Sequence, residues 1–178
     1  MNILHINPFF YPYMGGTEKF IYGLGKQQAK KHNVSIVTSK YGSGKARENI
    51  DGMEVYRLNS LVLKRLPSFL PPPYTITPQF PLALRKIIHE EKPDIIHLHN
   101  RFCFDYYSLV LIKTVMEIPL FLSLHNAKPV GISKAVDFLG KLYDRTGGGF
   151  MIKHADRIIA NSKWTLDVTL PENHGKKN

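Results

Sequence analysis

Six short apolar runs recur along the chain, at residues 2–6, 34–38, 53–58, 94–99, 120–125 and 157–161. Several are continuous stretches of Ile, Val and Leu rather than strict alternations, which is how strands covered on both faces read. Between them lie segments with helical spacing of apolar positions, at residues 17–31, 80–91, 105–117 and 133–154. Strands alternating with helices imply parallel pairing through right-handed crossovers. The predicted fold is therefore α/β: a doubly wound, Rossmann-like parallel sheet with helices on both faces. By analogy with dinucleotide-binding folds, the expected strand order, numbered along the chain, is third, second, first, fourth, fifth, sixth. Ligands of such sheets bind beyond the carboxyl ends of the strands.

Two stretches break the alternation. Residues 41–51 carry Gly42, Gly44, Lys45, Arg47 and Glu48 and read as a mobile loop. Residues 61–81 open with Leu61-Val62-Leu63-Lys64-Arg65-Leu66 and continue through Pro67 and Pro71-Pro72-Pro73-Tyr74. Those prolines forbid a continuous helix. The favoured reading is a loop folded over the sheet edge with its apolar residues inward. The other is an exposed apolar and basic insert suited to a membrane surface or a lipid acceptor.

Composition narrows the classes. At 178 residues with 43% hydrophobic content, the chain is one large globular domain or one domain with a tail. No apolar run approaches the ~18 residues of a membrane span. The first residues enter a strand at once and show no leader pattern. A single cysteine, Cys103, rules out an intramolecular disulfide and fits a reducing cytoplasm. It reads as a small packed residue. The net charge of +10 favours anionic partners: phosphorylated ligands, acidic lipid or nucleic acid. Lys and Arg are scattered, and no zinc-finger or RNA-binding motif is present, so nucleic acid is not an expected partner.

The candidate chemistry gathers at the strand ends. After the first strand comes a turn-rich stretch, then Gly15-Gly16-Thr17-Glu18 and the apolar run Phe20-Ile21-x-x-Leu24. Strand, glycine pair and helix start together aim free backbone N–H groups at an anion. His5 ends the first strand, His97, His99 and Asn100 the fourth, His125 and Asn126 the fifth, Asn161 and Ser162 the sixth. His97-x-His99 places two imidazoles on one strand face, the start of a zinc site with His125 as third ligand. No nearby carboxylate or cysteine completes it, so no metal is expected. His97 is expected beneath the cleft and His99 facing into it. Neither the P-loop nor the G-x-G-x-x-G fingerprint is present.

These residues carry a family resemblance. Pro12-x-x-Gly15-Gly16-x-Glu18 resembles P-x-x-G-G-x-E of the retaining family 4 (group 1) glycosyltransferases. His32-x-Val34 resembles the family's G-H-x-V, with Lys31 in place of the glycine. Pro93-Asp94-Ile95-Ile96-His97-Leu98-His99 resembles P-D-I-I-H-x-H, and Leu124-His125 resembles the strand-end histidine of the acceptor domain. The run from Ala155 to Ser162 resembles A-D-x-I-I-A-x-S. The motifs stand in family order from residue 1 to about residue 165.

The resemblance implies the N-terminal half of a GT-B fold: an acceptor-binding domain over residues 1–165, and a tail or linker over residues 166–178 towards a C-terminal donor-binding domain. It implies sugar transfer from a nucleotide-sugar co-substrate to a sugar or lipid-linked acceptor with retention, without a metal or other cofactor. Gly15 and Gly16 would face the donor diphosphate. His125 would be the catalytic-site histidine at the transferred sugar, and His99, Asn100 and Asn126 would line the acceptor side. Glu18 is either a favourable charge at a helix N-terminus or a substrate contact. The family's E-x7-E pair is absent, as is the D-x-D of metal-dependent GT-A enzymes, so the chain alone is expected to be inactive. The expected location is cytoplasmic, with peripheral contact at the inner face of the membrane. Two other readings stay open: a non-catalytic glycan- or lipid-phosphate-binding module, and a GT-B-like epimerase using carboxylates such as Asp105 and Asp137.

Overall fold

The computed structural model describes residues 1–42, 44–63, 74–100, 107–125, 134, 138, 142 and 147–170. Cys103, Asp105, Asn126, Asp137 and residues 171–178, all weighed from the sequence, lie outside the described residues.

The strands are β1 (Asn2–Ile6), β2 (Asn33–Ser39), β3 (Arg47–Ile50), β4 (Met53–Leu58), β5 (Leu61–Leu63), β6 (Tyr74–Ile76), β7 (Ile95–His99), β8 (Leu120–Leu124) and β9 (Arg157–Ala160). The helices are α1 (Gly16–Gln28), α2 (Phe80–Glu91), α3 (Tyr107–Val115), α4 (Gly149–His154) and α5 (Lys163–Thr169). Among the described residues, seven strands form one sheet in the order β3-β4-β2-β1-β7-β8-β9. Without β3, this is the order expected from the sequence, and every one of those pairings is parallel.

The chain winds outward from β1 through β2 to β4, then crosses back by α2 to β7 on the other side of β1. The reversal makes β1 and β7 the topological switch point, where a crevice opens at the carboxyl ends. It also distributes the helices. Ile21 of α1 packs with Val34, Ile36, Met53 and Val55 on one face. Leu84 and Ile88 of α2, Leu109 of α3 and Met151 of α4 pack over Leu4, Ile96, Leu98 and Leu122 on the other. Strand alternation then decides the rest: with Leu4, Ile6, Ile96 and Leu98 facing α2, residues His5, His97 and His99 must face α1's side.

The amino ends of the strands are clasped by two motif aspartates. Asp94 Oδ2 accepts from the Asn2 N–H at 2.7 Å. Asp156 Oδ2 accepts from the Leu120 N–H and from Lys113 Nζ, each at 2.7 Å.

Two stretches differ from the sequence reading. Residues 41–51 are not all loop: β3 pairs antiparallel with β4 through a turn at Asp51 and Gly52, both at positive φ (50° and 86°). Asp-Gly at those positions is the chemistry of a tight hairpin. β3 carries Glu48 to Arg57, a fully buried guanidinium that also donates to the Tyr11 carbonyl at 2.6 Å. In residues 61–81 the ends pair as the β5–β6 ribbon, and the outer register pair Leu61 and Ile76 is exposed while Thr75 and Thr77 are buried. At these described ends the threonines take the inner face and Leu61 and Ile76 the outer, while Phe80 just beyond is buried; residues 64–73 lie outside the described residues. α5 spans residue 165 and is capped by Ser162 Oγ, which accepts from the Thr165 N–H at 3.0 Å. Of the helix expected at 133–154, α4 supplies the last part; most of the remainder lies outside the described residues. Among the described residues no helix is long and apolar enough to cross a membrane.

Candidate functional site

The glycine pair begins α1. Gly15 is the N-cap, in extended conformation, and among the described residues no side chain caps the helix. The first-turn N–H groups are therefore left to solvent or an anion. The two glycines are not equivalent. A Cβ on Gly15 would lie 2.5 Å from Oε2 of Glu18, whereas a Cβ on Gly16 would meet nothing within 4 Å. Gly15 thus serves the fold and Gly16 keeps approach to the helix end open. Glu18 is buried and accepts from Asn7 Nδ2 at 3.2 Å, so it ties the loop after β1 to α1.

Beside this helix lies a row of imidazoles. His5 and His97 are direct register partners on β1 and β7. His5 Nε2 bonds Gln28 Oε1 at 2.8 Å, and His5 Nδ1 meets His99 Nε2 at 2.8 Å. His99 Nδ1 meets His125 Nε2 at 3.1 Å. His97 stacks on His99 with ring centroids 4.0 Å apart and bonds Ser123 Oγ through Nε2 at 2.7 Å. The backbone carbonyl of His125 accepts from Asn161 Nδ2 at 3.1 Å. The Phe20 ring, half-exposed on α1, stands edge-on to His125 at 5.0 Å and to His99 at 6.2 Å. Phe20 is one helical turn from Gly16, so it joins the open helix end to His125.

Burial keeps this row neutral. It lowers His5 from the ordinary 6.5 to about 4, opposed by the Gln28 hydrogen bond. It lowers His97 to about 3, with like-charge repulsion from His5 and His125 adding to it. His99 is held well below the ordinary range by burial and then by its three histidine neighbours, and burial also lowers His125.

The structure thus joins the predicted Gly15, Gly16, His99 and His125 into one neighbourhood. It corrects the expected exposure of His99: that ring has no solvent exposure and, among the described residues, sits behind His125 and Phe20. Asn100, at φ 83°, donates its backbone N–H to the Ser123 carbonyl at 3.0 Å. The third imidazole within metal-ligating reach of His97 and His99 is His5 rather than His125, the three lying within 4.8 Å. Both nitrogens of His5 and of His99 are already in hydrogen bonds, so an ion there would have to break the His5–His99 bond. Gln28 and Phe20 are site residues that the sequence pattern hides. Phe20 reads as core in an apolar run, and Gln28 looks like any polar residue of a helix end.

The family model described as Glycosyltransferase Family 4 matches residues 14–173. The chain belongs to glycosyltransferase family 4. This family 4 domain is 38% identical over 103 residues to one of the subunits of human phosphatidylinositol N-acetylglucosaminyltransferase, a match covering 57% of this chain and 20% of that protein. It is 27% identical over 152 residues to the GPI3 subunit of phosphatidylinositol N-acetylglucosaminyltransferase from Saccharomyces cerevisiae strain YJM789, covering 81% and 32%. The chain therefore spans about a fifth to a third of the curated relatives it matches. Among solved structures, it superposes on Anabaena HepE in complex with UDP and glucose with a TM-score of 0.56 at 16% identity, covering 95% of this chain and 40% of that one. With sucrose-phosphate synthase from Thermosynechococcus elongatus the TM-score is 0.54 at 16% identity, covering 88% and 41%. Both neighbours are GT-B glycosyltransferases, and the Rossmann-like sheet of this family 4 domain matches theirs.

Proposed function

We propose that this chain is the acceptor-binding half of a nucleotide-sugar-dependent, retaining glycosyltransferase, with a lipid-linked inositol as acceptor and an N-acetylglucosamine-type sugar as the group transferred. The observation that carries the reading is the junction of Gly16, Phe20 and His125. An uncapped helix end, open where a side chain would stand, lies one turn from an aromatic ring packed on a neutral imidazole. A nucleotide-sugar presents those two demands together, a diphosphate and a hydroxylated ring.

In this mechanism the first-turn N–H groups of α1 receive the donor diphosphate, whose charge grows as the glycosidic bond breaks. His125, neutral and hydrogen-bonded from behind, contacts the transferred sugar. No metal is required of the residues named. The acceptor class rests on the relatives, whose names specify phosphatidylinositol and N-acetylglucosamine, and on the net charge of +10, which favours an anionic lipid surface. That surface would be the cytoplasmic leaflet. The donor-binding partner half would supply most nucleotide contacts, so the 178-residue chain alone would not turn over.

The test combines flotation with phosphatidylinositol vesicles and transfer of a labelled sugar from nucleotide-sugars. The reading expects salt-sensitive vesicle binding by the chain and no transfer by it. Transfer by the chain alone overturns the half-enzyme reading, and absence of vesicle binding at low salt overturns the lipid acceptor.

A further inference from the structure

We propose that Gln28 and His5 are positioning residues that fix the tautomer of His125: acting through His99, they keep the proton on its Nε2 and leave its Nδ1 as a lone-pair acceptor. The inference rests on the reading of His125 as a sugar contact only for its consequence, not for its geometry.

The geometry is a four-membered relay, Gln28 Oε1 to His5 at 2.8 Å, His5 to His99 at 2.8 Å, and His99 to His125 at 3.1 Å. An amide oxygen has no proton to give. His5 Nε2 must therefore donate, and a neutral His5 then has only a lone pair at Nδ1. His99 Nε2 must donate to that lone pair, which leaves the lone pair of His99 at Nδ1. His125 Nε2 must donate in turn. Each step follows because a neutral imidazole carries one proton and one lone pair. Burial of the row disfavours the charged ring that would break this rule. The polarity set at Gln28, at the carboxyl end of α1, thus propagates across two strands to the edge of the site. The same helix holds both ends of the relay, since Phe20 packs edge-on against His125. Among the described residues, Nδ1 of His125 has no partner. An acceptor nitrogen there takes a hydrogen bond from a sugar hydroxyl, whereas the other tautomer would present an N–H.

The test is long-range proton–nitrogen NMR on the histidine-labelled chain, comparing wild type with Gln28→Met and Gln28→Glu. Gln28 is half-buried at a helix end, so both variants fit the fold, and thermal melting checks it. Wild type and Gln28→Glu, which both offer an acceptor, are expected to hold His125 in the single Nε2–H form. Gln28→Met removes the acceptor and is expected to convert His125 to a mixture of tautomers. An Nδ1–H tautomer in the wild type, or an unchanged His125 signal in Gln28→Met, overturns the proposal. Should Gln28→Met not fold, Gln28→Lys puts a donor at that position and is expected to reverse every step and convert His125 to the Nδ1–H form, an unchanged Nε2–H signal overturning the proposal. The readout needs no donor sugar, so it separates the relay from the transferase reading. In the native transferase, Gln28→Met is expected to lower kcat/KM by about tenfold, the scale of one lost hydrogen bond, with recovery in Gln28→Glu.

Discussion

Two adjacent glycines do different work, and substitution separates them. Gly15→Ala would push a methyl group into Glu18 and disturb its bond with Asn7. The carboxylate end of Glu18 can swing aside, so a loss of about 1 kcal/mol in folding stability is expected, the scale of its hydrogen bond with Asn7. Gly16→Ala meets open space, and removing a helical glycine stabilises by roughly 0.5–1 kcal/mol. It should melt at or above the wild-type temperature while weakening nucleotide-sugar binding. Denaturant titration and calorimetric binding on the two variants check both statements. The buried imidazoles add a pH dependence of definite sign. His5 falls from 6.5 to about 4 and His97 from 6.5 to about 3 on folding. The unfolded chain therefore takes up protons first. Stability is fully present above pH 6.5 and is lost as pH falls from there towards 4 and then 3. Urea midpoints should be level near neutral pH and fall through that window; a level midpoint down to pH 4 would contradict the burial of these rings.

At the scale of elements, the hairpin of β3 and β4 matters beyond the sheet edge. Its Glu48 pairs with buried Arg57, whose guanidinium also holds the Tyr11 carbonyl in the loop before the glycine pair. Glu48→Ala strands that charge and is expected to cost about 3–5 kcal/mol, read by equilibrium unfolding. A change below about 1 kcal/mol would mean the pair behaves as a surface ion pair. The same elements show what sequence discloses. The parallel strands and their order were legible because continuous apolar runs alternate with helical spacing, and strand-end histidines mark the carboxyl edge. β3 was not legible as a strand: Arg47-Glu48-Asn49-Ile50 has almost no apolar signal, although Asp51-Gly52 carries the turn. Nor does periodicity separate a strand histidine facing solvent from one facing a helix. His99 therefore reads as a cleft residue until β1, β7 and α1 are placed together. Gln28 and Phe20 join the site only through the return of α1 along β1, a long-range contact with no local signature.

At the scale of the whole molecule, the central strands break a packing rule in one place. One face of β1 and β7 carries Leu and Ile; on the other, Ile3 and Ile95 give way towards the carboxyl ends to His5, His97 and His99, all three buried. Buried imidazoles stabilise less than aliphatic side chains and are tolerated where a site needs them. They lie at the topological switch point of a family 4 glycosyltransferase domain that spans about a fifth to a third of its curated relatives. We read these facts together, as proposed above, as a half-site that receives the diphosphate and the transferred sugar and draws most nucleotide contacts from a donor-binding half. The most direct measurement is transfer of labelled sugar from nucleotide-sugars to phosphatidylinositol vesicles. It compares the native protein that carries this chain, its Gly16→Ala and His125→Ala variants, and the 178-residue chain alone. Labelled lipid is predicted from the native protein, strongly reduced product from both variants, and none from the chain alone. Undiminished transfer by Gly16→Ala and His125→Ala, or turnover by the chain alone, would contradict the half-site reading.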